Sequence, residues 1–179
     1  MQQGFSKLTK LLHWLSLVLI IAAYTSMEFK GVFERGSEPR ELMKASHYLF
    51  GLAILFLTVP RLLNRFWQPY PPILPTPPVW QHKLAALTHL LIYGFLLLMP
   101  LLGWLLLSAE GKHIVAFGFE FPALMAANKE QAEWFEFWHE TLATAGYFLI
   151  GLHIVAALYH QHIVRDNTLE RMSLRAPKE

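Results

Sequence analysis

HETLATAGYFLIGLH, residues 139–153, decides how this chain is read. It begins and ends on histidine, fourteen positions apart. On an α-helix that spacing turns through about 1400°, roughly 40° short of four full turns, and rises about 21 Å. One helix therefore presents His139 and His153 on one face at two depths. The residues between them are mostly apolar and often small, as at Ala143, Ala145, Gly146 and Gly151. Ionisable side chains inside a membrane span are costly and mark a functional site by default.

The rest of the chain supports a membrane setting. Of 179 residues, 54% are hydrophobic and only 16% charged. Spanning the hydrocarbon core takes about 20 apolar residues, and four segments meet this, at 8–29, 43–65, 82–107 and 139–164. The first starts too late and runs too long for a signal-peptide core, so it reads as a span that stays. Residues 90–107, LLIYGFLLLMPLLGWLLL, offer no polar face to water, which argues against a soluble bundle. The expected fold class is all-α, an integral membrane four-helix bundle in a single domain covering residues 1–179.

Four spans put both termini and the 66–81 loop on one side. That side carries Lys7, Lys10, Arg61, Arg65, Lys83, Arg165, Arg171, Arg175 and Lys178; the other carries Lys30, Arg35, Arg40, Lys44, Lys112 and Lys129. The excess of positive charge predicts cytoplasmic termini. The basic tail reads as a contact for lipid headgroups, and no repeated basic motif points to nucleic acid. The proline-rich inner loop QPYPPILPTPPVW, residues 68–80, reads as a stiff extended connector. The outer loop from 108 to 137 is partly apolar and is expected to lie along the membrane surface. Trp14, Trp67, Trp80, Trp104, Trp134 and Trp138 fall mostly at span ends, as an interfacial belt would.

Depth pairs the histidines. His47 and His139 both lie in the first turns of spans that enter from outside, so they can meet near the outer surface. His153 lies about 21 Å deeper. Its partner must come from the inner half, where His13 on the first span and His89 on the third both qualify. Two stacked centres, each held by two neutral imidazoles, follow from this arrangement. Zinc or nickel sites favour close clusters of ligands, often with carboxylates, whereas these imidazoles are spread over a helix length. A transporter is disfavoured because the spans lack buried carboxylates. Small residues beside the histidines, including Gly51 one turn after His47, suit a flat macrocycle, and haem b is the expected group. The absence of cysteine excludes thiolate-held clusters and thioether-linked haem.

KLLHWLSLVLIIAAYTSMEFKG (10–31), SHYLFGLAILFLTVPRLL (46–63) and HETLATAGYFLIGLHIVAALYHQHIVRDNTLERM (139–172) resemble the bacterial cytochrome b561 family, closest to its superoxide oxidase branch. The likeness covers nearly the whole chain. It implies a four-helix bundle of the bacterial inner membrane with two haem b groups, ligated by His13 with His153 and by His47 with His139. It implies an oxidoreductase that moves electrons from periplasmic superoxide to ubiquinone without a partner protein. His160 and His89, near the inner haem, become candidates for the quinone and its protons. The alternative is an anchor subunit passing electrons between a partner dehydrogenase or hydrogenase and quinone. One feature runs against an anionic donor: Glu28, Glu34, Glu38, Glu41, Glu110, Glu120, Glu130, Glu133, Glu136 and Glu140 all fall on the outer side. Arg40 and Lys44, near His47, would have to dominate the local field.

Overall fold

The computed structural model describes residues 4–68, 70–116 and 118–174. Arg175 and Lys178, counted above among the inner-side cations, lie outside them. Among the described residues four helices are long and apolar enough to cross a membrane: α1 (Lys7–Phe29), α2 (Glu38–Trp67), α3 (Val79–Ala109) and α4 (Lys129–Tyr159). They form a membrane-spanning helical bundle in which α1 packs on α2, α2 on α3 and α3 on α4.

Local chemistry sets the ends of the helices. Ser6 caps α1, its hydroxyl accepting from Thr9 N at 3.2 Å. Pro39 stands in the first turn of α2, where its missing N–H costs nothing. Asn128 caps α4 by accepting from Gln131 N at 3.0 Å. That cap starts α4 well before Trp138, so the helix is longer than the apolar segment read from the sequence. The added turns, KEQAEWFEF, are too acidic to register as a span. Within the bundle, the buried hydroxyls of Ser16 and Thr58 donate to the carbonyls four residues earlier, both at 2.7 Å, which satisfies them where no water is available.

The interior is thin. One core cluster joins Ala23, Ile54 and Leu96, with Ile20, Phe50 and Phe95 packed on it. By contrast Leu90, Phe148 and Val155 point outward and are more than half exposed. In water such a surface would drive aggregation; against lipid it is the ordinary outer face of a span.

The two ends of the bundle differ. At one end lies the 110–128 connection, which is not purely irregular: Ile114–Ala116 (β1) pairs antiparallel with Phe119–Phe121 (β2), Ile114 opposite Phe121. Gly118, at φ +80°, makes the tight turn that a side chain would resist. Ile114 and Phe121 close over Leu52, Leu107, Tyr48 and Trp104. This small hairpin is an addition to the helix-only expectation, and its end of the bundle is called the hairpin end below.

At the other, terminal end, the proline-rich connection is pinned rather than free. Leu74 N donates to Asn167 Oδ1 at 2.9 Å and Leu74 O accepts from Asn167 N at 3.2 Å. Pro71 O accepts from Arg171 Nη1. Arg171 O accepts from Phe5 N at 3.1 Å, and Met172 O from Trp14 Nε1 at 2.9 Å. Residues 165–174 thus tie the start of the chain, the α2–α3 connection and the end of α4 into one closure.

Candidate functional site

The histidines read from the sequence fall into two groups along α4. Near the hairpin end, His47 of α2 faces His139 of α4 with ring centroids 6.1 Å apart and planes at 80°. Toward the terminal end, His13 of α1 faces His153 of α4 at 6.3 Å and 62°. His89 of α3 also approaches His153, at 5.6 Å. His153 therefore has two imidazole neighbours, the same two that depth alone allowed.

These separations bear on what the pairs can hold. An iron between two opposed imidazole nitrogens, each about 2 Å away, sets the ring centroids roughly 6 Å apart. His47–His139 and His13–His153 both meet that distance. His47 is also oriented for it: its Nδ1 lies 2.9 Å from Ala23 O, so Nδ1 carries the proton and Nε2 is left free to ligate. Among the described residues His139 Nδ1 is buried without a hydrogen-bond partner. Gly103 of α3 leaves room for the His139 ring, because a Cβ there would lie 3.1 Å from His139 Cε1. Among the described residues nothing beyond the helix's own nearby backbone lies within 4 Å of a Cβ built at Gly51. Among the described residues no group of three or more His, Asp or Glu is arranged to hold a bare metal ion. The donor set is thus two imidazole pairs, which suits a bis-imidazole haem.

Gly146 plays a different part from the one its sequence context suggested. The space its missing Cβ leaves is filled by the Tyr24 hydroxyl and by Phe95, whose Cζ would sit 2.5 Å away. Tyr24 is fixed there by donating to Ala143 O at 2.7 Å. Gly146 lets two aromatic rings close over α4 midway between the two histidine groups.

His160 opens a π-helical turn, His160–Val164, that ends on Arg165 at φ 59°. Wide turns of this kind often mark functional positions. The left-handed residue swings the chain back, so that Asp166 Oδ2 accepts from His160 Nδ1 at 2.5 Å. Asp166 is 5% exposed. Burial works against its ionisation, but hydrogen bonds from Thr168 and His160 outweigh it and hold the carboxyl below its ordinary value. The sequence reading named His160 but not Asp166.

Two further residues were missed as site members. Arg61 was counted only as a topological charge; its Nη2 lies 2.9 Å from His13 Nδ1. Trp14 was placed in the interfacial belt, yet its ring stands edge-on to His13 at 5.2 Å. It also lines, with Leu169, Ser173 and Leu174, a cleft of about 340 Å³ at the terminal end. Trp104 likewise turns inward, donating to Pro122 O at 3.1 Å, whereas Trp67 and Trp80 remain exposed as a belt requires. Of the cations expected near the hairpin end, Lys44 is paired with Glu41 at 2.7 Å. Arg40 donates to the carbonyls of Lys30 and Phe33 at 3.1 and 3.0 Å.

Comparison with known proteins identifies the family. Residues 4–173 match the family model described as prokaryotic cytochrome b561. The chain is 40% identical over 171 residues to cytochrome b561 homolog 1 of Escherichia coli (strain K12), covering 96% of this chain and 97% of that one. It is 38% identical over 172 residues to a Yersinia pestis protein named probable superoxide oxidase CybB, with 96% and 97% covered. Cytochrome b561 homolog 2 of Escherichia coli (strain K12) is 30% identical over 168 residues, with 89% and 86% covered. The chain belongs to the prokaryotic cytochrome b561 family, multi-pass bacterial membrane proteins that bind haem b and carry electrons across the membrane.

Proposed function

We propose that this chain is a superoxide:ubiquinone oxidoreductase holding two haem b groups, with the hairpin end periplasmic and both termini cytoplasmic. The observation that carries the reading is the pair of histidine couples at 6.1 and 6.3 Å, set at two depths on one face of α4. Haem b held between two imidazoles supplies one-electron transfer and leaves no iron position open to oxygen.

In this reading His47 and His139 hold the hairpin-end haem, and His13 and His153 the terminal-end haem. The His13–His153 spacing supports that choice, being close to the His47–His139 spacing; His89, at 5.6 Å, stands nearer to His153 than an opposed ligand would. Superoxide loses one electron at the hairpin end and leaves as dioxygen. Two such electrons and two cytoplasmic protons convert ubiquinone to ubiquinol. Carrying charge over about two-thirds of the membrane costs roughly 1.5 kcal/mol per 100 mV, scaled from the full-span value; the redox couple supplies it. Similarity to a chain named probable superoxide oxidase supports superoxide as the donor.

His160 and His89 serve the quinone side. Asp166 holds the proton on His160 Nδ1, which directs Nε2 to exchange a proton with a quinone oxygen. The largely apolar cleft beside Trp14 and Leu169 is the place this reading assigns to the quinone ring. His89, with Nδ1 2.6 Å from Ala85 O, keeps its other nitrogen available for proton exchange. The test uses the purified chain alone, supplied with enzymatically generated superoxide and a short-chain ubiquinone. Wild type reduces quinone, and His160→Ala slows quinone reduction while leaving superoxide-driven haem reduction intact. Turnover that appears only when a membrane dehydrogenase or hydrogenase is added would instead establish the anchor-subunit alternative.

A further inference from the structure

Arg61 stands within the membrane-spanning part of α2, with Nη2 2.9 Å from Nδ1 of His13 on α1. Its guanidinium donates to His13 Nδ1 and lies 5.4 Å from the ring centroid of Tyr93. Among the described residues no Asp or Glu is within ion-pair distance of it. A guanidinium keeps its charge at physiological pH. A cation inside a span is costly and is normally paired, so this site calls for an anion.

The chemistry of His13 sharpens the point. Iron ligation through Nε2 requires that nitrogen to be unprotonated, which leaves the ring proton on Nδ1. Arginine has five donors and no acceptor, so it cannot receive that proton. With His13 as a ligand, Arg61 must donate elsewhere. Haem b brings two propionate carboxylates, planar anions that match the guanidinium fork.

We propose that Arg61 is the counter-ion of a propionate of the terminal-end haem and keeps the midpoint potential of that haem high. The proposal rests on the reading of His13 and His153 as ligands. A fixed positive charge favours the reduced, electron-richer iron over the oxidised one. Arg61 thereby biases electrons toward the end of the molecule where the quinone is reduced.

The experiment compares the purified haem-loaded chain with Arg61→Gln and Arg61→Lys. Midpoint potentials are read by optical redox titration, and the propionate bending modes by resonance Raman spectroscopy. Arg61→Gln is expected to lower the potential of one haem, leave the other unchanged and shift the propionate mode. Arg61→Lys, which retains the charge, is expected to stay closer to wild type. If Arg61→Gln loses the terminal-end haem while Arg61→Lys keeps it, the need for charge is equally shown. Unchanged potentials and propionate modes in Arg61→Gln overturn the proposal, as do equal effects of the two variants, which would assign Arg61 to packing. A wild-type chain with no haem at this end would instead overturn the ligand assignment beneath it.

Discussion

Gly146→Ala is the perturbation whose cost the structure specifies most fully. The added Cβ would lie 2.5 and 2.7 Å from Phe95 Cζ and Cε2, and would also overlap the Tyr24 hydroxyl. Carbon atoms pack at about 3.5–4 Å, so Phe95 must retreat by roughly 1 Å. It has little room, because it packs against the Ala23–Ile54–Leu96 cluster. Overpacking of this kind costs about 1–3 kcal/mol. Displacing Tyr24 also removes its 2.7 Å bond to Ala143 O, worth about 1 kcal/mol net. The higher helix propensity of alanine returns about 1 kcal/mol. The balance is a loss of about 1–3 kcal/mol, which corresponds to a fall in apparent Tm of roughly 2–12 °C for a chain of this size. Thermal unfolding in detergent, followed by circular dichroism, reads it. Adding Phe95→Leu removes the blocking ring atoms and should make the Gly146→Ala change cheaper, a non-additivity that a double-mutant cycle detects. A Gly146→Ala chain as stable as wild type would refute the close approach of α1 and α3 to α4 at this point.

Two other substitutions probe the two ends. Gly103→Ala places a Cβ 3.1 Å from His139 Cε1, so the ring must yield by a few tenths of an ångström; low-temperature absorption and electron paramagnetic resonance should show one perturbed haem and one unperturbed, and two wild-type signals would detach Gly103 from the site. Asp166→Asn tests the closure at the terminal end. Because the folded-state pKa of Asp166 is lowered, its stabilising contribution is present above the ordinary value of about 3.9 and is lost as pH falls through the folded value. The variant should melt below wild type at neutral pH, and the gap should close in acid; a gap independent of pH would show that the carboxylate charge is not what holds the closure.

The broad architecture was legible because it rests on composition and period. Four long apolar runs and the His139–His153 spacing need no tertiary information. The start of α4 was missed because a search for apolar runs passes over EQAEWFE; the signal was the cap, Asn128 three residues before Gln131. The β1–β2 hairpin has three-residue strands, too short for an alternating pattern to register. The His160–Asp166 pair depends on a π-turn and on Arg165 in the left-handed region, a conformation that residue type does not announce. Arg61 and Trp14 carried obvious sequence-level explanations, topology and the interface, which concealed inward-facing positions. His13 and His89 were equivalent by depth, and both do stand beside His153, at 6.3 and 5.6 Å.

The most direct test of the central claim is haem stoichiometry, measured by pyridine haemochrome on the purified chain and on single ligand variants. Two haem b per chain are expected in wild type. One is expected in each of His47→Ala, His139→Ala, His13→Ala and His153→Ala, the first two losing the same haem and the last two the other. A wild-type content of one, or a His153→Ala chain that still holds two, contradicts the account.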